Sequence, residues 1–316
     1  MPCNTVDAAG LRYMIEHNAL AGSTMSSDSG IDRLREWIGR SESGVGTVAA
    51  APVAALSATL DRDDPVPRHG DPLPILWHWL YFLPAHRQSE LGVDGHARLG
   101  GFLPPVPLPR RMFAGGRIEM LHPLRVGDPI ARVSRIADVS RKDGRTGPLV
   151  FVRLRHEIST EGRLALTEDQ DIVYRGNPGA DDPPPAVEPA PDDPAWTREV
   201  HPDEVLLFRY SALTFNAFRP HYDRRFATEA QGYPGLVVHA PLIATLLADL
   251  VTRNLPRADV TGFSFRARKA LFDTSSFFLC GRPAEDGRSV ALWARDFSGA
   301  LALDATATLI RPVHAL

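Results

Sequence analysis

Apolar and polar positions alternate along several segments in each half of the chain, and this alternation predicts strands. It is clearest at residues 150–155 and 301–309, as expected when one face of a strand is buried. Asp143-Gly144, Glu161-Gly162 and Asp286-Gly287 supply hairpin turns. The predicted strands cover residues 116–124, 128–142, 149–160 and 164–175 in the first half, and residues 261–271, 275–280, 289–296 and 300–310 in the second.

Each half also contains an apolar segment that we predict to be helical. Residues 238–253 are apolar nearly all round, with Pro241 in the first turn and residues 254–256 as the stop. In the first half, residues 71–83 are apolar and aromatic, and we expect a helix from Leu73. A helix that is apolar all round needs cover on every side, so we expect a sheet around each one.

These elements predict an α+β double hot-dog fold, in which two antiparallel sheets each wrap a long apolar helix. A β-sandwich is the competing architecture, and the two apolar helices argue against it. Residues 177–195 are rich in Pro and Asp and read as an extended linker. We therefore divide the chain into a loose extension at residues 1–24, an N-terminal domain at 25–176 and a C-terminal domain at 196–316. Met25 is an alternative start, followed by a capped helix at 31–42.

Composition narrows the class of protein. The net charge is −3, which favours neither a nucleic-acid binder nor a polybasic membrane anchor. No apolar run reaches the roughly 18–20 residues of a membrane span, and the N-terminus does not resemble a secretory signal. We found no Rossmann glycine pattern, no P-loop and no His/Cys zinc cluster. We therefore expect a cytoplasmic enzyme without a metal or a cofactor.

The residues with the clearest chemical meaning are Asn216 and His221, which lie five positions apart before a Gly-Tyr-Pro-Gly turn and the apolar helix. Hydration of an enoyl thioester needs a base for water, a proton for Cα and a donor for the developing oxyanion. An imidazole titrates near neutral pH, so His221 is the candidate base. The amide of Asn216 can hold water but cannot take its proton.

This segment resembles the MaoC-like (R)-specific enoyl-CoA hydratases, and within them the FAS1-type, type 2 dehydratase branch. The wider MaoC-like family usually places an Asp where this chain has Asn216, and the resemblance to the branch implies an Asn at this position. The resemblance implies a hot-dog fold, a CoA-thioester substrate and one active site, since the first half lacks the motif. The residues that carry it are Tyr210, Ser211, Asn216, His221, Phe226, Ala227, Gly232, Tyr233, Pro234, Gly235 and His239, supported by residues 77–82 and 109–112 in the first half.

Other site residues follow from chemistry and position. We expect the backbone N–H groups of Gly235 and Leu236, at the turn that leads into the helix, to hold the oxyanion. The predicted acyl pocket contains Tyr210, Phe215, Tyr233 and His239, with Trp77, His78 and Trp79 closing its far end. The candidate CoA-binding cations are Arg219, Arg266, Arg268 and Lys269, and Arg111 or Arg219 is the candidate partner of a substrate carboxylate.

Three readings of the Asn216 position stay open. His221 performs both proton transfers while Asn216 holds the water, or a second carboxylate replaces the missing one, or the site is inactive. Asp223 is the nearest carboxylate, but it precedes residues 224–230 and is expected to cap a helix there.

The resulting prediction is a hydratase or dehydratase of an enoyl-CoA, with a branched C4-dicarboxyl acyl group such as mesaconyl-C4-CoA or itaconyl-CoA. A dehydratase of 3-hydroxyacyl thioesters in fatty acid metabolism is the alternative. A hot-dog thioesterase ranks lower, since no Asp or Glu lies between Gly232 and Leu247 to activate water. A non-catalytic acyl-CoA-binding subunit also ranks lower, since Asn216 in place of an Asp is its only support. A homodimer of double hot-dog chains is compatible with this prediction.

Overall fold

Ten strands form one antiparallel sheet in this computed structural model, which describes residues 28–179, 182 and 186–310. The strands are β1 (Ser41–Thr47), β2 (Arg110–Met120), β3 (Pro129–Gly144), β4 (Gly147–Thr160), β5 (Arg163–Arg175), β6 (Trp196–Val200), β7 (Val260–Ala267), β8 (Phe277–Pro283), β9 (Ser289–Asp296) and β10 (Leu301–Leu309). The helices are α1 (Asp28–Arg35), α2 (Ala50–Thr59), α3 (Glu204–Leu213) and α4 (Ala240–Asn254). The predicted extension at residues 1–24 and the alternative start at Met25 lie outside the described residues.

The strand order shows that the two halves repeat one plan. It runs β1-β3-β4-β5-β2 and continues as β7-β10-β9-β8-β6. In each half the first strand lies at an outer edge and the second lies at the seam between the halves. At the seam, a Cβ on Gly115 would lie 2.4 Å from the carbonyl oxygen of Phe265. A glycine is therefore needed for β2 and β7 to approach each other this closely.

The second half is the predicted hot-dog unit. Every residue from Leu242 to Val251 in α4 is buried, and the helix packs against β8, β9 and β10. Pro241 lies in its first turn and Asn254 is its last residue, as predicted. The Asp286-Gly287 turn connects β8 to β9, and β9 has the predicted bounds. The double hot-dog prediction is confirmed for the sheet and for this helix.

The first half departs from the prediction because it contains no long helix among the described residues. The helix expected from Leu73 is wrong: this stretch has only a four-residue 3₁₀ helix, Trp77–Leu80. Leu76 and Phe82, on either side, have left-handed backbone conformations with φ of 70° and 55°. A helix cannot continue through such residues, and Pro74 also lacks the N–H that a helix interior needs.

Two shorter predictions also need correction. The helix expected at residues 31–42 ends as α1 at Arg35, because Gly39 has φ of +87° and the following residues pair as β1 with β3. The Pro/Asp-rich linker has no helix or strand where the structure describes it, but part of it is docked. Leu301 N–H donates to the carbonyl of Glu188 at 2.7 Å. The division into two domains stays a prediction.

The halves share one hydrophobic core, which contains side chains of α4 together with those of α2 and the 3₁₀ helix. A buried ionic cluster links them further. The side chain of Asp249 on α4 is 1% exposed and pairs with Arg62 of the first half, with Arg198 at 2.9 Å and with Arg253 at 2.6 Å. In the described part of the chain, no helix has the length and hydropathy needed to cross a membrane.

Candidate active site

The loop after α3 holds Asn216 in a turn. The backbone N–H of Asn216 donates to the carbonyl of Ser211 at 2.8 Å, and its Oδ1 accepts from the N–H of Phe218 at 3.0 Å. Oδ1 is therefore used by the turn, and Nδ2 is the group left to hold another molecule. Phe215, which precedes it, has φ of 50° and a 55% exposed side chain. Phe215 is exposed in this conformation, and its place in the acyl pocket stays a prediction.

His221 ends the same loop in a 3₁₀ helix and is buried. Its Nδ1–H donates to the carbonyl of Val237 at 2.7 Å, which leaves the lone pair of Nε2 available. Burial lowers the pKa of His221 to about 4, against the opposing effect of the hydrogen bond to Val237. An imidazole with this pKa is neutral at physiological pH and is able to accept a proton.

His239 lies directly on His221 at the N-cap of α4. The two rings stack with centroids 3.6 Å apart, and Nε2 of His239 lies 2.9 Å from Oγ of Ser211. His239 is 1% exposed, and its Nδ1 has no hydrogen-bond partner among the described residues. Tyr210, also buried, contacts His239 edge-on at 5.1 Å. The structure thus brings two predicted pocket residues, Tyr210 and His239, next to the proposed base.

The helix begins at Ala240, two residues after its predicted start at Val238, and this affects the expected oxyanion site. Residues 236–238 are extended, with Val237 bridged to Phe272, and α4 begins only at Ala240. The N–H of Leu236 donates to Oδ1 of Asp273 at 2.8 Å, so it is not available to a substrate. The first turn of a helix leaves its N–H groups without intrahelical partners. In α4 the group nearest His239 is the N–H of Ala240, since Pro241 has none.

Tyr233 and Asp223 have structural partners. Arg110 lies over the ring of Tyr233, with its Cζ 5.1 Å from the ring centroid. Asp223 caps the next helical turn, as predicted: its Oδ1 accepts from the N–H of Phe226 at 3.0 Å, and its Oδ2 pairs with Arg219 at 2.7 Å. The carboxylate of Asp223 is therefore fully engaged.

Three of the four candidate CoA-binding cations are paired within the chain. Arg219 uses Nε and Nη2 for Asp223 and donates from Nη1 to the carbonyl of Val93 at 3.0 Å. Arg268 pairs with Asp304, and Lys269 pairs with Asp296. Arg266 makes no ion pair among the described residues and lies in a surface pocket of about 180 Å³ on β7 and β10.

The first half supplies two further residues that the sequence did not place in the site, His96 and Asp94, together with the sequence candidate Arg111. His96 stacks on Phe218 at 4.2 Å, and Phe218 contacts His221 edge-on at 5.2 Å. Nδ1 of His96 lies 2.9 Å from Oδ2 of Asp94. Burial and then the charge of Arg111 lower the pKa of His96 to about 4. Arg111 therefore lies near this pair, and it forms no ion pair within the described part of the chain.

The contact between the halves at this point is close. A Cβ on Gly95 would lie 1.7 Å from the carbonyl oxygen of Ala217, so only glycine fits there. The N–H of Arg219 donates to the carbonyl of Asp94 at 2.8 Å. Nothing in the sequence around Gly95 pointed to a loop more than 100 residues away.

The neutral imidazole of His221 stacks on His239 at the N-terminus of α4, and the sheet wraps this helix. This arrangement fits the hot-dog enzymes that add or remove water at acyl thioesters. In the described residues, no group of three or more His, Cys, Asp or Glu side chains is placed to hold a metal ion. The family model of hydroxyacyl-thioester dehydratase type 2 matches residues 76–273. The chain belongs to this family and is an enzyme of the hydro-lyase class, which confirms the predicted branch.

Known proteins support both the family and the fold. A relative from Chloroflexus aurantiacus, a mesaconyl-C(4)-CoA hydratase, is 50% identical over 274 residues, covering 86% of this chain and 96% of its own. A solved MaoC-like dehydratase is 14% identical, with a TM-score of 0.65, and covers 87% of this chain and 99% of its own. A Mycobacterium tuberculosis protein described as having a double hot-dog fold is 16% identical, with a TM-score of 0.50, and covers 86% of this chain and 96% of its own. These two structures support the fold alone.

Proposed function

We propose that the protein hydrates a branched C4-dicarboxyl enoyl-CoA such as mesaconyl-C4-CoA. The observation that carries this proposal is the 50% identity to a mesaconyl-C(4)-CoA hydratase along most of both chains. The arrangement around His221 supports it, because a buried neutral imidazole with a free Nε2 is suited to activating water. Itaconyl-CoA has the same functional groups and is the second substrate to test.

In the proposed mechanism His221 performs both proton transfers. Water held by Nδ2 of Asn216 attacks Cβ of the enoyl group while Nε2 of His221 accepts its proton. The imidazolium then gives a proton to Cα of the enolate, which restores neutral His221. These two proton transfers need no second carboxylate. The engagement of Asp223 with Phe226 and Arg219 favours this mechanism, because Asp223 is not free to take part.

The negative charge that develops on the thioester oxygen needs a donor close to this pair. The N–H of Ala240 at the start of α4 is suited to this role, because the helix dipole adds positive potential there. The N–H of Leu236 is held by Asp273. We therefore move the proposed oxyanion site from Leu236 to Ala240, and Gly235 stays an untested candidate.

The free carboxylate of the acyl group needs a cation, since burying an unpaired carboxylate is costly. Arg219 is engaged by Asp223 and by the carbonyl of Val93. Arg111 is half-buried and forms no ion pair among the described residues, and it lies close to His96. We assign the carboxylate to Arg111. The CoA phosphates are assigned to Arg266, the one of the four candidate cations without an ion pair within the described residues.

The test follows the ultraviolet absorbance of the enoyl thioester and, in the same reaction, the release of free CoA. Wild type should consume mesaconyl-C4-CoA without releasing CoA, and His221→Ala should abolish the reaction. Release of free CoA would favour the thioesterase. Loss of activity with mesaconyl-C4-CoA but full activity with medium-chain 3-hydroxyacyl thioesters would favour the fatty-acid dehydratase.

Two coarser expectations belong to the same proposal. We propose a cytoplasmic enzyme. We also propose that it needs no cofactor beyond the CoA of its substrate, and activity that survives dialysis against a chelator will test this. We also propose a homodimer. The exposed apolar side chains of Val205 and Phe208 on α3 support it, and sedimentation velocity will measure the assembly.

A further inference from the structure

In the second half, α4 covers one face of the sheet. The first half has no long helix in the equivalent place among its described residues. Between α2 and β2, the helical structure consists of two short 3₁₀ helices, Trp77–Leu80 and Gln88–Glu90. Trp77 and Leu80 are each 3% exposed and belong to the same core as the buried face of α4. The 3₁₀ helix Trp77–Leu80 therefore fills part of the space that a long helix would otherwise occupy.

A buried carboxylate anchors this 3₁₀ helix. Glu168 on β5 is 3% exposed and accepts from Nε2 of His78 and from Nε1 of Trp79, both at 3.0 Å. Burial would raise the pKa of Glu168, but the hydrogen bond and charge of His78 outweigh it and lower the pKa to about 2. An ionised carboxylate in the interior is tolerated only with donors held in place. Glu168 thus fixes both the imidazole of His78 and the indole of Trp79.

The backbone on both sides of the 3₁₀ helix is also constrained. Leu76 and Phe82 have φ of 70° and 55°, a region that bulky residues adopt only where the surrounding structure enforces it. Such strain concentrates at sites where a side chain must be presented in one position. The side chain presented here is Trp79.

Trp79 closes an aromatic wall at the seam between the halves. Its ring contacts Phe113 of β2 edge-on at 6.3 Å and Phe265 of β7 edge-on at 6.1 Å. Phe113 and Phe265 stack on each other across the seam at 5.5 Å. The wall is therefore built from both halves.

Tyr210 and the three rings of the wall pack into the same hydrophobic core. Tyr210 contacts His239, which stacks on His221. Burial raises the pKa of Tyr210, the hydrogen bond to Thr245 lowers it, and the charge of Glu168 raises it, so Tyr210 lies within electrostatic range of the Glu168 anchor. An acyl chain that passes Tyr210 would meet the indole that Glu168 holds.

We propose that Trp79, held by Glu168, closes the acyl pocket and restricts the enzyme to short acyl groups. This inference rests on the proposed function, since it assumes that the acyl group lies beside His221. A C4 dicarboxyl group with one methyl branch is short enough to stop before such a wall, while a medium or long chain is not.

The test is a gain of activity on longer substrates. Wild type should hydrate crotonyl-CoA with a kcat/KM far above that for trans-2-octenoyl-CoA. Trp79→Ala should raise the octenoyl-to-crotonyl ratio of kcat/KM at least about tenfold, the scale of discrimination that apolar pocket contacts provide. A Trp79→Phe variant keeps most of the bulk and should leave the ratio near that of wild type.

The matched control is Trp37→Ala, which removes a tryptophan from the outer side of the first half, where its Nε1 donates to the carbonyl of Gly101 at 3.1 Å. Its ratio should equal that of wild type. A folded Trp79→Ala enzyme with an unchanged ratio would overturn the proposal, and so would a wild type that hydrates both substrates equally. Should Trp79→Ala not fold, Phe113→Ala removes the neighbouring part of the wall and takes its place in the same assay.

Failure of the proposed function is recognised separately by a binding measurement. Isothermal titration with butyryl-CoA and octanoyl-CoA needs no reaction. If wild type hydrates nothing but Trp79→Ala still gains affinity for octanoyl-CoA alone, the function is wrong and the wall is right. If wild type hydrates crotonyl-CoA and neither assay shows a gain for the longer chain, the wall is wrong and the function stands.

Discussion

The two halves of the sheet have the same strand plan, and their difference lies in what covers the inner face. The second half keeps a long buried helix, α4, and its N-terminus carries His239 against His221. The first half has the short 3₁₀ helix Trp77–Leu80 instead and the polar pair His78 and Glu168 in its core. We therefore assign the chemical step to the second half and the shape of the substrate pocket to the first half.

The first half contributes to the candidate site although it has no long helix among its described residues. The Gly95 turn of the first half fits closely against Ala217 in the loop after α3, and His96 stacks on Phe218 of the same loop. We therefore expect substitutions in the second half to affect the chemical step. Substitutions in the first half should affect the choice of substrate.

The largest effect should come from His221→Gln. Loss of the base should lower kcat about 10²-fold to 10⁴-fold, as measured with mesaconyl-C4-CoA. The matched variant is His156→Gln in the first half. His156 is also buried, with its Nδ1 2.8 Å from Oγ of Ser134 and its Nε2 3.2 Å from Oε1 of Gln170. It should keep a kcat close to that of wild type. An equal loss in both variants would contradict the division of roles.

The link between the halves should break in Asp249→Asn. This change leaves the charges of Arg62, Arg198 and Arg253 around a buried position without their carboxylate. We expect the free energy of unfolding to fall by about 3–5 kcal/mol, as measured by urea denaturation. Glu229→Gln, which removes an exposed pair with Arg225 at 2.9 Å, should leave the free energy of unfolding nearly unchanged, because solvent screens such pairs. Equal losses would show that the buried cluster does not hold the halves together.

Substrate choice should change in Arg111→Gln. Loss of a charged partner should lower kcat/KM for mesaconyl-C4-CoA about tenfold to a hundredfold relative to crotonyl-CoA, which has no free carboxylate. The control, Arg117→Gln, lies on the same strand and removes an exposed pair with Glu119 at 2.7 Å. A parallel fall for both substrates in Arg111→Gln would mean that Arg111 does not bind the carboxylate.

The smallest catalytic effect should come from Asn216→Ala, which removes the proposed water ligand but keeps the base. We expect kcat to fall about tenfold, the scale of one or two lost hydrogen bonds. Asn216→Asp keeps the oxygen that accepts from the Phe218 N–H and serves as the matched variant for loop shape. An Asn216→Ala enzyme with full activity would remove Asn216 from the mechanism.

The second half was largely predictable because its side chains follow the regular periods of helix and strand. The apolar run at α4 and the alternation in β9 and β10 each reflect burial against one core, and their bounds were predicted within about two residues. The edge strands β1 and β6 and the helix α2 were missed. In β1, for example, six of seven residues are exposed, so no apolar period marks it.

The first half was harder to predict because an apolar run does not reveal how it is covered. Residues 73–83 read as a helix, yet Pro74 and the left-handed Leu76 and Phe82 prevent one. Asn216 and His221 could be proposed from the sequence because their motif lies within one short segment. His96 could not, since tertiary contacts alone bring it to Phe218 in the loop after α3. Arg111 was a sequence candidate for the substrate carboxylate, but its position near His96 follows from the fold alone.

The central claim is that a buried, neutral His221 is the base for hydration, and the pH dependence of kcat/KM with mesaconyl-C4-CoA tests it most directly. The free enzyme must have His221 unprotonated, and burial lowers its pKa to about 4. The rate constant should therefore stay level from neutral pH down through the ordinary range of histidine, near 6.5. It should fall only as the pH approaches about 4, where His221 becomes protonated. A fall centred near 6.5, or a rate constant that rises as the pH is lowered, would contradict the account.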